Sequence, residues 1–537
     1  MLPKQLRFLH PYFHLIGLLL MIAGLPFSKL LMSLSQFFVG INWILEGNFK
    51  EKWQRLKRNK KAWMLMGLFL MLLPGMLYSQ NLDAGLKMLR INLPLLIFPL
   101  VLGSRDPLPK VWYEAIIKLS IFSVWLATVA CTIWGLPHWL NAELTDIRKI
   151  SIFISHIRFA LLISLSIMLG AWLLVFKPFE IQKWQRAFIG AMIVWMTVFL
   201  FVLQSLTGIV ILISVGFGCL IYLAFKRLPL WKTALISILS IATVVLVLFT
   251  ASNAYQNYFK PAAIYDSPLP EKTALGNYYE HDLSVIENGH YVFAHVCQPE
   301  LENTWKLRSD YPLDSADGKG QLTYSTLIRF LNSKGLRKDA AGLNALSEKE
   351  IHYITKGIAN VNYTGLWGIK MRFYQLLWEL SYLKRGSVTG SGHTLVMKIE
   401  FLKNALILIR EHPIIGVGIG DVQDTFIKHY NQNDSWLSPK WRMTCHNQYL
   451  YLGVAAGIPG FFLFLYLFFA PMRREKYIPL SLFVIIAAIS MLPEDTLTTQ
   501  EGASFVAFYY AFFLFSRPRI NNSVSSISSS STSSSAE

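Results

Sequence analysis

The sequence predicts an all-α polytopic membrane protein, and three observations lead to this prediction. Of its 537 residues, 53% are hydrophobic and only 15% are charged, whereas a soluble chain carries about a quarter charged residues. Apolar runs long enough to cross the hydrocarbon, about 17 to 25 residues, recur along the chain. The basic residues gather in short loops between these runs, a distribution typical of the cytoplasmic side of membrane proteins.

The apolar runs predict about twelve transmembrane helices. No run carries a charged residue near its centre. Nine runs precede a long polar segment and three follow it. They cover residues 12–28, 30–46, 63–79, 90–104, 112–135, 157–176, 186–204, 207–225, 231–251, 446–471, 476–493 and 503–516.

Basic loops set the predicted topology. They occupy residues 50–61, 177–186, 226–227 and 473–476, and alternation through twelve spans places all of them in the cytoplasm. The net charge of +18 therefore indicates membrane orientation rather than nucleic acid binding. The predicted parts are a bundle of about nine spans (1–251), an outer region with amphipathic helices (252–445), three further spans (446–517) and a disordered Ser-rich tail (518–537).

The outer region, residues 252–445, shows patterns typical of amphipathic helices. Ser347 and Glu350 form a capping-box pattern that opens a helix reaching to about Ala359. Apolar residues recur at helical spacing over 369–383 and 395–409. Basic residues on the polar faces of these helices either meet solvent and lipid headgroups or point inward to hold an anionic diphosphate.

A glycine-rich loop, HPIIGVGIGDV, follows at residues 412–422. Pro413 ends the preceding helix. Gly416, Gly418 and Gly420 permit a tight backbone path whose N–H groups could cradle an anion. The pattern lacks the strand context and the lysine of a P-loop, which argues against nucleotide binding.

The stretch HNQYLYLGVAAGIPG begins at His446, where the outer region meets the tenth apolar run. At about 100° per residue, Gly453, Gly457 and Gly460 share the helix stripe headed by His446. The resulting groove either lets a neighbouring helix pack closely, as in small-xxx-small pairs, or leaves room for a lipid chain beneath a titratable ring. We predict an active site at the membrane surface here.

These two stretches resemble the O-antigen ligase and polymerase superfamily. Its ligases are described by a motif of His, then Asn, Ser or Gln, nine residues, Gly, two residues, and Gly, Thr or Tyr. His446, Asn447, Gly457 and Gly460 match every defined position. The predicted architecture, with one large loop late in the chain, is also similar to that of the superfamily.

The resemblance implies a GT-C-type glycosyltransferase of the bacterial inner membrane. Such ligases move a glycan from undecaprenyl diphosphate to a sugar hydroxyl on lipid A-core at the periplasmic face, without a metal or other cofactor. It implies that His446 is the general base and that Arg158, at the outer start of the sixth span, holds the diphosphate. The expected substrate-binding residues are Asn447, Lys398, Arg442, His156, Gly416, Gly418, Gly457 and Gly460.

The chain departs from the family pattern at two places. Many relatives carry an arginine near the outer start of the eighth span, where this chain reads SLTG at residues 205–208. An arginine often precedes the last loop helix, where this chain has Lys398. Lysine supplies charge but not the bidentate fork of arginine. Glu494 and Asp495 either pair with Arg158, orient His446 or form an exposed loop pair.

Three other functions remain open at this stage. A polymerase that extends one repeat unit on another, and a protein O-oligosaccharyltransferase, would use the same donor and much the same site. A transporter for lipid-linked glycan belongs to a different class. Transporters often show internal repeats and polar groups at the midplane, whereas this chain has no evident repeat and gathers its polar residues at the outer ends of spans.

Overall fold

The computed structural model describes residues 8–140, 147–227, 229–260, 269–364, 368–385 and 394–518. Within these ranges helices predominate, and the only paired strands longer than an isolated bridge form one hairpin. This agrees with the predicted helical fold. The Ser-rich segment after residue 518, predicted to be disordered, lies outside the described residues.

The first half of the chain forms a succession of mostly apolar helices. Several are interrupted where proline or glycine enters an apolar run, as at Pro74 and Pro94. The helices are α1 (His10–Phe27), α2 (Lys29–Leu45), α3 (Phe49–Arg58), α4 (Lys60–Leu70), α5 (Leu73–Met76), α6 (Leu82–Asn92), α7 (Pro94–Gly103), α8 (Lys110–Leu140), α9 (His156–Phe176), α10 (Lys183–Val202), α11 (Leu206–Arg227) and α12 (Leu230–Phe259).

The outer region and the C-terminal helices complete the described chain. The outer region holds β1 (Glu280–Glu287), β2 (His290–Val296), α13 (Gln298–Arg308), α14 (Thr323–Ser333), α15 (Ala340–Asn344), α16 (Glu348–Thr355), α17 (Gly368–Arg385), α18 (Thr394–Glu411) and α19 (Val422–Gln432). The C-terminal helices are α20 (Gln448–Phe469), α21 (Ile478–Ser490) and α22 (Gln500–Phe515).

Many of these helices have the length and composition of membrane spans. In the described ranges, 7 helices qualify, and α2 with α3 would add an eighth if this pair, bent by 115°, forms one span. The total of twelve stays a prediction, because several predicted spans are shorter helices: α4 has 11 residues, α21 has 13 and α22 has 16. The qualifying helices are His10–Phe27, Leu82–Gly103, Lys110–Trp139, His156–Phe176, Lys183–Val202, Leu206–Lys226 and Gln448–Met472.

Helix α9 is the most enclosed of the long helices. It packs against α8, α10, α11 and α21, and most of its residues are buried on all sides. A helix that is apolar around its whole circumference requires such an enclosed position. Its first turn carries Arg158. This cation therefore lies at one end of the enclosed helix, among the surrounding helices, and not in the region 252–445.

The glycine-rich loop after α18 is docked on a kink in α20. Gly457 has φ 69° and ψ −175° inside α20, and Pro459 has no N–H to bond the carbonyl of Ala455. The loop supplies the missing donor, because the Gly418 N–H donates to Ala455 O at 3.0 Å. Val417 N–H likewise donates to Val454 O at 2.9 Å.

Only glycine fits at the two contact points of this docked loop. A Cβ on Gly416 would lie 2.5 Å from the backbone of Ala455, and one on Gly457 would lie 2.4 Å from the carbonyl oxygen of Ile414. Both glycines also have positive φ angles, which L residues rarely adopt. These glycines therefore allow the backbone of the loop and the backbone of α20 to approach closely.

The predicted glycine stripe beneath His446 is wrong. His446 precedes α20 with a φ of 47°, so it does not continue the helix, and the turn at Gly457 breaks the helical register. Gly453 faces the side chain of Ile409 instead. Of the two interpretations of the groove, close packing is the one that the contacts of these glycines support.

A β-hairpin in the outer region was missed in the sequence analysis. Glu287 pairs with His290 across a two-residue turn formed by Asn288 and Gly289, whose φ angles are 56° and 77°. Asn-Gly is the strongest short-range signal for such a turn, because both central residues need positive φ. The signal was therefore present in the sequence.

The helix predictions for the outer region are confirmed. The side chains of Ser347 and Glu350 form the predicted reciprocal capping box at the start of α16. That helix ends at Thr355, before the expected Ala359, because Gly357 adopts a φ of 79°. The two longer amphipathic patterns correspond to α17 and α18.

We expect Gly457→Ala to destabilise the protein by about 1–3 kcal/mol, the usual cost of a strained backbone conformation. The added methyl group would also meet the Ile414 carbonyl. Thermal unfolding of the purified protein in detergent measures the effect. Gly190→Ala is the matched control, because a Cβ there meets no atom within 4 Å and alanine favours a helix. Equal unfolding temperatures for the two variants would contradict the assignment.

Candidate active site

The start of α20 fixes the position of His446. The Asn447 side chain caps the helix by accepting the Leu450 N–H at 2.9 Å, the usual role of asparagine at an N-cap. The same amide group donates to Leu492 O at 2.8 Å. Asn447 thus ties the histidine segment to the turn after α21, a structural contact, while its predicted contact with substrate stays a prediction.

The adjacent Gln448 strengthens this connection. Its backbone N–H donates to Met491 O at 2.9 Å and to Glu494 O at 3.2 Å. Its side-chain oxygen accepts the Leu497 N–H at 2.7 Å, and the residue is buried. Two distant segments, the start of α20 and residues 491–497, are therefore held together by directional hydrogen bonds.

This connection brings two carboxylates to the imidazole of His446. The Nδ1 atom lies 3.6 Å from Asp495 Oδ1 and 3.9 Å from Glu494 Oε2. Nε2 lies on the other side of the ring, 3.4 Å from Met443 Sδ. Phe401 of α18 packs against the ring, with the two ring centroids 5.6 Å apart. The nitrogen Nε2 therefore contacts only a weak sulfur acceptor among the described residues.

Two of the predicted cations lie beside these carboxylates. Lys398 Nζ donates to Pro493 O at 2.9 Å and lies 3.5 Å from Glu494 Oε1. Arg158 Nε donates to Thr499 Oγ1 at 3.2 Å. The Arg158 side chain is within electrostatic range of Glu494, Asp495 and Glu501. The site thus contains His446, two cations and several carboxylates drawn from four separate parts of the chain.

Arg158 is buried and incompletely paired. Its exposed fraction is 7%, and its Nη1 atom has no hydrogen-bond partner among the described residues. A buried guanidinium nitrogen without a partner is costly. Guanidinium groups commonly pair with phosphate oxygens through two nitrogens, so this atom is a suitable contact for an anionic group.

The charge of Asp495 is stabilised in the folded protein. Burial raises the pKa of its carboxyl group, but the interaction with the nearby His446 imidazole, together with the charge of Arg158, more than offsets burial and leaves the pKa below its ordinary value. Asp495 is consequently ionised at neutral pH. An ionised carboxylate next to Nδ1 favours a proton on that nitrogen and leaves Nε2 free to accept one.

The same three side chains have ligand types found in metal sites. The ligand atoms of His446, Glu494 and Asp495 lie within 4.8 Å of one another. The positive charges of Lys398 and Arg158, already beside these carboxylates, would repel a metal cation. These two cations balance the charges of Glu494 and Asp495, so the cluster holds groups able to contact either an anion or a cation.

Several of the remaining predicted binding residues make contacts that support the fold. Arg442 donates to Leu437 O at 2.9 Å and to the side chain of Asn431, and His156 is the first residue of α9. The N–H of Gly418 already donates to Ala455 O in α20. The roles of these residues and of Gly416, Gly457 and Gly460 in substrate binding stay predictions.

The sequence analysis missed two residues of this site. Thr499 accepts the Arg158 hydrogen bond, and the buried Glu501 pairs with Lys29 at 2.7 Å. A carboxylate at the start of an otherwise apolar helix was a signal in the sequence. Negative side chains are, however, common in the first turn of any helix, so this signal could not identify a site.

Residues 357–465 match the family model described as O-antigen ligase. This match confirms the resemblance to the O-antigen ligase and polymerase superfamily, and it contains His446, Lys398 and the glycine-rich loop. It supports a ligase- or polymerase-type function on lipid-linked glycans in a membrane. A search of curated proteins finds no match to the chain.

We expect Asp495→Asn to remove stability in a pH-dependent way. Because the folded-state pKa of this carboxyl group is depressed, its stabilisation is present above the unfolded pKa of about 3.9. It is lost as the pH falls through the lower, folded-state pKa. The difference in unfolding temperature between the unaltered protein and the variant should thus be largest near pH 7 and shrink below about pH 4.

Asp314→Asn is the control for this pH series, because Asp314 is an exposed carboxylate of the outer region. It should change the unfolding temperature little at any pH. A destabilisation by Asp495→Asn that stays constant from neutral to acidic pH would show that the carboxylate charge is not its cause.

Proposed function

We propose that this protein is a GT-C-type glycosyltransferase of the bacterial inner membrane. It moves a glycan from undecaprenyl diphosphate to a sugar hydroxyl of lipid A-core at the periplasmic face. The observation that supports this most directly is that His446 and the buried, incompletely paired Arg158 lie near the same ionised carboxylate, Asp495. Such an arrangement suits proton removal and anion binding in one place.

In this proposal His446 is the general base. Nδ1 faces Asp495 at 3.6 Å, so the proton on that nitrogen is stabilised and Nε2 takes the proton from the acceptor hydroxyl. The 3.6 Å separation exceeds a hydrogen bond, but contacts of this kind often shorten once substrate is bound. Asp495 is then a positioning residue, because it acts through the imidazole and not on the sugar.

The bond changes balance without a further reactant. The acceptor oxygen forms a bond to the anomeric carbon of the donor sugar as its proton passes to His446. The bond between that carbon and the diphosphate oxygen breaks, and the lipid diphosphate leaves with the electron pair. Arg158 Nη1 and the ammonium of Lys398 are the groups proposed to neutralise this anion, since charge-assisted hydrogen bonds to phosphate are strong.

The acceptor is the part of the proposal that rests on resemblance alone. A polymerase or a protein O-oligosaccharyltransferase would use the same donor and the same proton acceptor. A transporter would move the lipid-linked glycan without covalent change. The clustering of His446, Arg158 and the carboxylates at one end of the bundle supports catalysis, because transport sites lie near the middle of the membrane.

The test is the mass of the product. Purified protein is incubated with lipid-linked donor and, separately, with lipid A-core, a second lipid-linked repeat unit and a Ser/Thr peptide. We expect the donor glycan mass to be added to lipid A-core. Addition to the repeat unit or to the peptide would assign the corresponding alternative, and movement of unchanged donor between leaflets would assign transport.

We expect His446→Ala to lower the transfer rate by about 10²- to 10⁴-fold, the usual contribution of general acid–base catalysis. The histidine lies at a helix start and not in the core, so the variant should keep its unfolding temperature. His412→Ala is the matched control, because His412 is an exposed histidine at the end of α18. Equal rates for the two variants would discard the general-base assignment.

Transfer should also persist in excess chelator. Lys398 and Arg158 provide the positive charge beside the leaving diphosphate, so no divalent ion is required to neutralise it. The rate is measured in EDTA and after dialysis against added magnesium or manganese. A rate that disappears in EDTA and returns only with added metal would instead make His446, Glu494 and Asp495 metal ligands, as their spacing allows.

A further inference from the structure

A polar cavity of about 400 Å³ lies at the end of the bundle opposite to His446. The position of this cavity follows from α22. At one end of this helix, the N-cap residue Thr499 and the first-turn residue Glu501 belong to the His446 site. At the other end, Ser516 O accepts the N–H of Leu108 at 3.1 Å, and Leu108 lines the cavity. The 16 residues of α22 separate the two sites by about 24 Å.

The cavity is lined by charged side chains of both signs. Three cations and three carboxylates contribute, together with a buried histidine and several apolar residues at the rim. The charged residues are Lys52, Arg55, Arg105, Glu46, Glu51 and Asp106. They form four ion pairs, Lys52–Glu46 at 2.8 Å, Arg105–Glu46 at 2.6 Å, Arg55–Glu51 at 2.5 Å and Arg55–Asp106 at 2.6 Å.

These charges are separated by depth. The side chains of Lys52, Arg105 and Glu46 are exposed by only 7%, 13% and 18%, so the inner layer has one more positive than negative charge. The side chains of Glu51 and Asp106 are exposed by 60% and 69%, with Arg55 between them at 35%. The outer layer thus has one more negative than positive charge.

Two buried atoms at the cavity lack partners. His14 is exposed by 3%, and its Nδ1 has no hydrogen-bond partner among the described residues. Arg105 Nη1 has none either. Both side chains line the cavity, and buried polar atoms without partners are costly. An oxygen atom of a ligand in the inner layer would satisfy them.

The rim of the cavity suits a lipid. Pro11, Trp112 and Leu108 provide apolar surface beside the charged groups, and tryptophan is enriched where membranes meet water. Lys52 and Arg55 lie on α3, within the basic stretch 50–61 that the positive-inside rule assigns to the cytoplasmic side. This assignment puts the cavity near the lipid headgroups of that leaflet.

We propose that this cavity binds the zwitterionic headgroup of phosphatidylethanolamine. The phosphate lies in the inner layer against Arg105, Lys52 and His14, and the ammonium lies outside it between Glu51 and Asp106. This order matches a lipid, because the phosphate of a phospholipid is nearer the hydrocarbon than its amine. The proposal does not depend on glycan transfer, which takes place at the other end of the bundle.

The headgroup chemistry predicts a defined selectivity. A primary ammonium donates three hydrogen bonds to carboxylates, whereas the trimethylated amine of phosphatidylcholine donates none. Phosphatidylglycerol has no positive charge for Glu51 and Asp106. Inorganic phosphate meets the inner layer alone. Phosphatidylethanolamine should therefore bind at least about ten-fold more tightly than phosphatidylcholine, phosphatidylglycerol or inorganic phosphate, since a lost charged hydrogen bond is worth about 1.5 kcal/mol or more and about 1.4 kcal/mol is ten-fold in affinity.

The experiment uses the full-length protein, freed of lipid in detergent. Each of the three lipids is titrated in turn, and bound lipid is counted by native mass spectrometry, with inorganic phosphate added as a competitor. Selective retention of phosphatidylethanolamine is the expected result. Equal retention of all three lipids, or complete displacement by phosphate, would overturn the proposal.

Two variants test the outer and the inner layer of the cavity separately. Asp106→Asn changes an exposed side chain and should bring phosphatidylethanolamine binding down to the level of phosphatidylcholine. Arg105→Lys keeps the positive charge beside Glu46 but loses Nη1, and it should weaken binding of all three lipids. Glu475→Gln is the control, because Glu475 pairs with Lys61 at the same end of the bundle. Unchanged selectivity in both cavity variants would also overturn the proposal.

Discussion

The hydrogen bonds between the start of α20 and the turn after α21 are the constraint on which the His446 site depends. Asn447 and Gln448 bond residues 491–497 through side-chain and backbone groups. These bonds bring Glu494 and Asp495 to the imidazole. The docked loop after α18 fixes the same helix from its other side. The histidine is therefore held by backbone contacts from two directions, although it lies outside regular secondary structure.

Charge pairing decides how each end of the bundle can be used. Buried charges are tolerated only when partners compensate their loss of water, as at Lys52, which pairs with Glu46 at 2.8 Å. Arg158 and Arg105 meet this condition incompletely, each with one guanidinium nitrogen left without a hydrogen-bond partner among the described residues. Both lie at ends of membrane-type helices, where phosphate-bearing molecules are abundant. The histidines at the two ends differ: His446 is partly exposed beside carboxylates, whereas His14 is buried.

The sequence predicted those features that depend on local patterns. Apolar length predicted the helical membrane fold, the pair Ser347 and Glu350 predicted the start of α16, and the motif from His446 to Gly460 predicted the family. The hairpin turn at Asn288 and Gly289 was readable but missed. The kink at Gly457 was mistaken for continuous helix, because helical spacing assumes an unbroken backbone and the competing loop lies forty residues earlier in the chain.

The composition of the His446 site could be predicted only in part, because local patterns do not show which distant segments come into contact. His446, Arg158 and Lys398 were identified singly, and their approach to Glu494 and Asp495 depends on packing between distant segments. Thr499 carries no local signature, and the signature of Glu501, a carboxylate in the first turn of a helix, is too common to identify a site.

The family match ends at residue 465, whereas Arg158 precedes it and Asp495 follows it. A fragment limited to 357–465 would accordingly keep the imidazole yet lose its acidic neighbour and the buried guanidinium. The segment that matches the family thus holds only part of the His446 site, and the rest comes from helices before and after it in the same chain.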